Sequence, residues 1–167
     1  MTAEEIQQYL SELNDELALK DIKGEISLFG GAVMVLAFNA RIATKDVDAI
    51  FEPVKEIRNA AHRIAELHAL KLDWLNMAVR MFVVKHDREL LFDLPNLRVT
   101  VPESDYLLAM KMIALRPQTE DEDDAIFLIE KLRLQSKADV LGIIADYYPR
   151  KEISATTITW LDEYFSK

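Results

Sequence analysis

The sequence predicts an α+β fold, in which a small mixed sheet packed with helices is followed by a helical C-terminal half. Three observations predict it. Short apolar runs bounded by Gly or Pro occur before Pro102, helical periodicity dominates after it, and the two kinds of segment are segregated along the chain. A regular alternation of strands and helices would instead indicate a doubly wound α/β sheet.

The length of the chain fits one compact domain. Its 167 residues, half of them hydrophobic, can form one sizeable core but not two domains of typical length. We therefore expect a single domain over residues 1–167, with a mixed α/β part at about residues 1–116 and a helical part at about residues 117–167. Residues 116–119, which include a proline, are the expected hinge between the two parts.

Helices and strands are predicted from the spacing of apolar residues. The predicted helices are residues 3–19, 32–39, 54–70, 104–115, 121–134, 137–148 and 155–165. The predicted strands are residues 25–29, 46–51 and 97–101. Between residues 73 and 94 the pattern is weaker, and we expect a helical turn at residues 74–76 and a strand-like run at residues 81–84.

Several helices carry residues suited to capping their first turn. Thr2 and Glu5 have the spacing of a capping box at the start of the first helix. Ser104, Ser136 and Ser154 precede or begin three later helices, and serine is a preferred N-cap residue.

The composition excludes some classes of site and indicates a cellular compartment. The chain contains no Cys, which excludes disulfides, thiol catalysis and Cys-based metal sites. A reducing compartment fits this, and we expect a cytoplasmic protein. No apolar run approaches the roughly 20 residues needed to cross a membrane, and the N-terminus lacks the features of a signal peptide.

The charge of the chain disfavours extensive nucleic-acid binding. The formal net charge is −9, from 29 acidic and 20 basic residues, and the basic residues are scattered along the sequence. A protein that follows a phosphate backbone usually has a basic stripe. The acidity is equally explained by the need of a protein to stay in solution.

The strongest chemical motif is a Gly-Gly pair followed by two aspartates. Asp46 and Asp48 are two apart on a predicted strand, so their carboxylates should point to the same face. Two converging carboxylates suit Mg²⁺ that bridges substrate phosphates. Gly30 and Gly31 allow close backbone approach and begin a helix whose N-terminus favours an anion such as a triphosphate. The alternative is an ordinary turn and a solvated start of a strand.

This order of residues resembles a known superfamily. Gly30-Gly31, a short apolar helix, Arg41 and the segment at residues 44–48 are similar to the DNA polymerase beta-type nucleotidyltransferases, in the Gly-Gly form of AbiEii-type bacterial proteins. Downstream, residues 106–115 are similar to a helix that carries a Lys in those proteins, and residues 120–128 to the acidic segment that follows it. Together these marks cover roughly residues 25–130.

The resemblance implies transfer of a nucleoside monophosphate from a nucleoside triphosphate to an unidentified acceptor. It implies that Asp46 and Asp48 hold Mg²⁺, or Mn²⁺, and that catalysis consists of positioning and charge neutralisation. The residues that it assigns to binding the nucleotide are Gly30, Gly31, Arg41, Lys45 and Lys111. Arg41 could equally pair with a nearby acid.

One feature departs from the family pattern. Catalytic members usually carry a third carboxylate on a later strand, and the predicted strand at residues 97–101 contains none. Asp93 is the nearest candidate for the third catalytic acid, but beside Pro95 it fits a turn residue equally well. Without a third acid the domain would bind nucleotide and metal with slow turnover or none.

Lys111 is the one charged residue in an otherwise apolar stretch of helix. A helix that is apolar on nearly every side is buried, and a buried ammonium group needs an anionic partner. The partner is either the nucleotide or one of two nearby acids, Asp121 and Asp124; a third alternative is that the side chain snorkels to solvent. Those acids also fit the first turn of a helix, where the dipole favours negative charge.

Two functions from different classes follow. The first is a metal-dependent nucleotidyltransferase, by family analogy part of a toxin–antitoxin or phage-defence system with a protein partner. The second is a catalytically impaired protein of the same fold that binds nucleotide, or that uses its acidic surface or helical half to bind a protein partner or to dimerise.

Overall fold

The predicted α+β fold is confirmed. The structure, a computed structural model, describes residues 1–167. The helices are α1 Ala3–Leu19, α2 Gly30–Leu36, α3 Val54–His68, α4 Ser104–Ile113, α5 Glu120–Lys131, α6 Lys137–Tyr147 and α7 Ala155–Phe165. The strands are β1 Gly24–Phe29, β2 Val47–Glu52, β3 Leu75–Asn76, β4 Arg88–Asp93 and β5 Leu97–Pro102. None of the helices combines the length and the apolar character needed to cross a membrane.

The chain forms two compact units. The first comprises Met1–Val83 and Arg88–Pro102, and the second comprises Val84–Asp87 and Glu103–Lys167. Because α4 packs against α5 and α6, the chain from Glu103 onward belongs to the second unit, which we call the helical unit. The expected hinge at residues 116–119 therefore lies inside the second unit.

The first unit is built on one five-stranded mixed sheet with the strand order β3-β2-β1-β5-β4. The central strand β1 pairs antiparallel with β2 and parallel with β5. At one edge β3 adds to β2, and at the other β4 runs antiparallel to β5. Three of these five strands were predicted from the sequence.

Helices α1 and α3 cover one face of the sheet. A Cβ placed on Gly24 of β1 would lie 2.9 Å from Leu17 Cδ1 of α1 and 3.0 Å from Ile57 Cδ1 of α3. Since side chains alternate along a strand, Ile26 and Leu28 point to the same side, and both are fully buried. The core of the first unit therefore lies between this face and the two helices.

The opposite face of the sheet carries the polar residues. We call it the Asp48 face, and its members on the four longer strands are Glu25, Ser27 and Phe29 of β1, Asp48, Ile50 and Glu52 of β2, Arg98, Thr100 and Pro102 of β5, and Arg88, Leu90 and Asp93 of β4. Their shared face follows from strand register and alternation.

Helices α1 and α3 are joined by an ion pair and by a hydrogen bond to a histidine. Arg63 Nε lies 2.8 Å from Glu16 Oε2, and His68 Nε2 lies 2.8 Å from Glu12 Oε2. The predicted capping box at the start of α1 is confirmed, with the Thr2 hydroxyl accepting from Glu5 N at 3.2 Å and the Glu5 carboxylate accepting from Thr2 N at 3.3 Å.

Two local predictions between residues 73 and 94 are wrong. Residues 74–76 do not form a helical turn, because Leu75 and Asn76 pair with β2 while Trp74 is buried and donates from Nε1 to Ala61 O at 2.9 Å. The run at residues 81–84 is not a strand, since Ala78–Phe82 is a 3₁₀ helix with no buried residue.

Strand β4 has no counterpart in the sequence prediction. Its residues do not alternate cleanly, because a register shift between Leu90 and Phe92 interrupts its pairing with β5. As an edge strand it is also largely exposed, so the burial pattern that marks internal strands is missing.

The second unit is organised around α4. Its Tyr106 is fully buried, and its hydroxyl accepts from Val84 N at 3.0 Å and bonds to the Tyr148 hydroxyl at 2.9 Å. The His86 ring stacks on the Tyr106 ring with 4.0 Å between centroids. These contacts explain why Val84–Asp87 belongs to the helical unit.

The capping predictions in the second unit are confirmed at two of three helices. Ser136 and Ser154 accept hydrogen bonds from Asp139 N and Thr157 N at the starts of α6 and α7. Ser104 does not cap α4, because Ser104 is already the first residue of the helix, and Glu103 before it is the N-cap residue. Thr119 caps α5, which the sequence did not predict.

Candidate functional site

The Gly-Gly pair lies at the end of β1, directly beside Asp48. Gly30 has φ of +62°, a left-handed conformation that favours glycine. Asp48 pairs with Phe29 across the sheet, and a Cβ on Gly30 would lie 3.0 Å from Asp48 Oδ2. Glycine is therefore required here both for the backbone angle and for the close approach of the carboxylate.

Gly31 provides space for two further polar side chains. A Cβ at this position would lie 2.7 Å from Arg41 Nη1 and 2.7 Å from Thr44 Oγ1. A carboxylate, a guanidinium and a hydroxyl thus converge on the Gly-Gly turn from Asp48, Arg41 and Thr44. The structure brings together four of the residues that the sequence singles out: Gly30, Gly31, Arg41 and Asp48.

The loop between α2 and β2 is held by the beginning of the chain. The Met1 amino group donates to Thr44 O at 2.7 Å, and Thr44 N donates to Met1 O at 3.0 Å. Thr2 and Ala43 form an isolated β-bridge beside these bonds. The loop that carries Arg41 and Thr44 is therefore tied to the first helix by backbone bonds that no sequence motif indicates.

Asp46 and Lys45 lie in the same loop, next to the start of β2. Because the strand begins at Val47, the alternation that predicted a shared face for Asp46 and Asp48 does not extend to Asp46. The backbone oxygen of Asp46 accepts from Thr44 Oγ1 at 3.3 Å, and Lys45 is exposed.

The donor set at this turn is small. No group of three or more His, Cys, Asp or Glu side chains is arranged to hold a metal ion. Mg²⁺ in proteins commonly keeps several waters and is bound through one or two carboxylates together with substrate phosphates. The structure places one carboxylate, that of Asp48, at this turn.

Asp93, the predicted third acid, lies at the other end of the sheet. It pairs with Arg98, which pairs with Glu25, whereas Asp48 pairs with Phe29 at the far end of β1. Four residues along a strand correspond to about 13 Å, so the structure does not bring Asp93 to the Gly-Gly turn. The physical reason is that β4 runs antiparallel to β5, so the last residues of β4 lie beside the first residues of β5.

The end of the sheet that carries Asp93 has a cavity of its own. Its volume is about 790 Å³, and charged residues of both signs line it: Lys23, Glu25, Glu52, Asp93 and Arg98. It does not include the Gly-Gly turn, and its mixed charge indicates no single ligand.

Strand β5 presents a hydroxyl on the Asp48 face. Thr100 lies on the Asp48 face opposite Ser27 of β1, and its Oγ1 donates to Ser27 Oγ at 3.0 Å. Arg88 also reaches Ser27, with Nη1 3.0 Å from Ser27 Oγ and 3.3 Å from Glu25 Oε1. The polar groups around Ser27 on this face are thus a hydroxyl from β5 and a guanidinium from β4.

Lys111 lies in the second unit and forms a buried ion pair. Its Nζ is 2.7 Å from Asp124 Oδ2 and 3.6 Å from Asp121 Oδ1, and the Asp124 side chain is only 1% exposed. Arg116 Nε lies 2.8 Å from Asp121 Oδ2. Of the two partners expected for Lys111, the structure therefore contains the acidic one.

The sequence missed Arg88, Ser27 and Thr100. Alternation along β1 and β5 places Ser27 and Thr100 on one face of each strand, but their pairing depends on β5 lying next to β1, which the sequence does not encode locally. Arg88 gave no signal, because β4 was not predicted.

Comparison of the chain with protein-family models, with curated proteins and with solved structures finds no match in any of the three.

Proposed function

We propose that the chain is a metal-dependent nucleotidyltransferase, which transfers a nucleoside monophosphate from a nucleoside triphosphate to an acceptor. One observation carries the proposal: the Asp48 carboxylate and the Arg41 guanidinium both pack against the Gly30-Gly31 turn, at the distances given above. A carboxylate suits Mg²⁺ and a guanidinium suits phosphate, and the two ligands occur together in a magnesium–triphosphate complex.

Each residue has a stated role in this proposal. Asp48 and Asp46 would hold Mg²⁺, which supplies neutralisation of charge on the phosphates. Arg41 would bind the phosphate oxygens in a forked pair of hydrogen bonds, with Lys45 adding positive charge at the rim of the loop. An acceptor oxygen would attack the α-phosphorus and release its proton to water, while the bond from the α-phosphorus to the oxygen shared with the β-phosphorus breaks and pyrophosphate leaves.

A second candidate is a protein of the same kind that binds nucleotide without transferring it. The observation that favours it is that β5 carries no acid and presents the Thr100 hydroxyl, bonded to Ser27, on the Asp48 face, together with the remote position of Asp93. Such a protein would act by binding a protein partner, in keeping with its net charge of −9. The proposed setting is the cytoplasm, and a toxin–antitoxin or phage-defence pair is the proposed context.

The proposed function predicts Mg²⁺-dependent binding of a nucleoside triphosphate. Titration of the purified chain with each of the four common ribonucleoside triphosphates, with and without Mg²⁺, should give saturable binding for at least one with the metal. Asp48→Asn should weaken that binding by about tenfold or more, because a charged metal ligand is lost. Asp73→Asn, an exposed aspartate of the same unit, is the matched control.

The results separate the two candidates. Pyrophosphate release in a cell extract that supplies acceptors supports transfer, and binding without release supports the second candidate. The nucleotide proposal is wrong if no triphosphate binds, or if Asp48→Asn binds as tightly as the unchanged protein.

A further inference from the structure

We propose that Arg88 and Ser27 form an oxyanion-binding position on the Asp48 face, and that the acceptor is recognised there through a phosphate group. The assignment to the acceptor rests on the proposed function, whereas the binding of an oxyanion does not. The position lies outside the residues of the Gly-Gly turn.

The guanidinium of Arg88 is held over the centre of the sheet. Arg88 is the first residue of β4 and pairs with Pro102 of β5, but its side chain extends across β5 to reach Ser27 and Glu25 on β1. Underneath it, Thr100 of β5 bonds to the same Ser27 hydroxyl. Contacts to two neighbouring side chains orient the guanidinium before any ligand binds.

This arrangement has hydrogen-bond donors left over. A guanidinium has five N–H donors, and the contacts of Arg88 in the structure involve Nη1 alone. The Ser27 oxygen accepts from both Arg88 and Thr100, so its own proton remains to be donated. A guanidinium fork beside a hydroxyl donor is the set of groups that binds a tetrahedral oxyanion such as phosphate.

The location favours an acceptor over the triphosphate. Ser27 lies opposite Ile50, which makes Asp48 its diagonal neighbour on the same face, at roughly 7–8 Å. Asp48 is opposite Phe29 of β1. Ser27 comes before Phe29 in the strand, and the Gly30-Gly31 turn comes directly after it. Along the strand direction, Arg88 and the Gly-Gly turn thus lie on opposite sides of Asp48, and on the proposed function an acceptor at Arg88 and a triphosphate at the turn would flank that carboxylate.

Glu25 distinguishes this proposal from a plain surface ion pair. Its carboxylate is 3.3 Å from Arg88 Nη1, and the two side chains are 43% and 48% exposed. If Arg88 only forms an ion pair with Glu25, the pair contributes little to stability and binds no ligand. If Arg88 binds an oxyanion, Glu25 opposes the ligand by repulsion, and its neutral variant Glu25→Gln binds more tightly.

The test is calorimetric titration of the purified chain with inorganic phosphate, in EDTA and without nucleotide. Saturable binding is expected, weakened about tenfold or more in Arg88→Gln and strengthened severalfold in Glu25→Gln. Arg98→Gln is the matched control, because Arg98 is an exposed arginine on the same face, and it should bind phosphate normally. Thermal melts establish whether each variant is folded. If Arg88→Gln does not fold, the phosphate affinity of Glu25→Gln tests the proposal.

Failure of this proposal is distinguishable from failure of the proposed function, because no metal or nucleotide is present. Absence of saturable phosphate binding, equal loss in the Arg98 and Arg88 variants, or an unchanged affinity in Glu25→Gln would overturn it. A second titration at saturating Mg²⁺ and triphosphate tests the acceptor assignment. Phosphate should still bind, and competition between the two would assign Arg88 to the nucleotide instead.

Discussion

At the scale of single residues, two glycines of this chain have opposite surroundings. Gly30 has a positive φ of 62° and the Asp48 carboxylate against it, whereas a methyl group added to Gly142 in α6 would meet no neighbouring atom within 4 Å. The same substitution should therefore have opposite effects at the two positions. The difference reports on how tightly the candidate site is packed.

Gly30→Ala should destabilise the protein by about 1–2 kcal/mol, because a left-handed residue with a Cβ is strained and the new methyl group displaces Asp48. Gly142→Ala should stabilise it by about 0.5–1 kcal/mol, because alanine is the better helix former. Chemical denaturation of both variants measures the two changes. Shifts of the same sign would contradict the packing described for Gly30.

At the scale of elements, α4 and α5 are joined by a buried charge pair. Lys111 is 10% exposed and Asp124 1% exposed, and their charged atoms are 2.7 Å apart. Such a pair contributes little net stability over an apolar pair of similar size, but removing one partner leaves a buried charge uncompensated. The pair therefore fixes how the two helices meet.

Lys111→Met should lower the free energy of unfolding by about 3–5 kcal/mol, and adding Asp124→Leu should restore most of the loss. Lys137→Met is the matched control, since Lys137 pairs with Asp162, whose side chain is 58% exposed, and its loss should cost less than about 1 kcal/mol. Denaturant titrations of the three variants give these values. If Lys111→Met is as stable as Lys137→Met, the ion pair does not have this role.

Helices α5 and α7 are joined by a hydrogen bond that depends on pH. Trp160 Nε1 donates to Glu122 Oε1 at 2.9 Å, and Gln118 N donates to Glu122 Oε2 at 2.6 Å. The bond from Trp160 first, and the backbone bond from Gln118 second, lower the pKa of Glu122 from its ordinary 4.5. A lowered pKa in the folded state adds stability above pH 4.5, and that stability is lost as the pH falls through the folded pKa.

Glu122→Gln should therefore have a lower Tm than the unchanged protein at pH 7, and the difference should shrink as the pH falls below about 4.5. Thermal melts between pH 7 and pH 3 measure this. Asp123→Asn, an exposed neighbour in the same helical turn, should show no such convergence. A constant difference at all pH values would show that the ionised carboxylate is not what joins the helices.

At the scale of the whole molecule, the candidate site depends on the order of the strands. Ser27, Asp48, Arg88 and Thr100 come from four separate strands, and Ser27 is 61 residues from Arg88 and 73 from Thr100 in the chain. They become neighbours because β1 lies between β2 and β5, with β4 outside β5. Closing such distant contacts costs chain entropy, which burial of apolar side chains in the first unit offsets.

Local patterns in the sequence determined the helices and the motif. Helix α1 and its capping box, and helix α7, have their predicted bounds, because apolar spacing and capping act within a few residues. The proximity of Gly30 to Asp48 was also predictable, since a strand, a turn and a second strand that pairs with the first are close in the chain.

Tertiary structure alone decided what surrounds the motif. The edge strand β4 has too little burial and alternation to be recognised. Only its pairing with β5 therefore showed that Arg88 lies on the Asp48 face and that Asp93 lies far from the Gly-Gly turn. Likewise, a lone Lys111 in an apolar helix requires an anion, but the packing of α4 against α5 determined that Asp124 supplies it. Short-range patterns encode elements, whereas the choice of partner for each element depends on contacts between residues far apart in the chain.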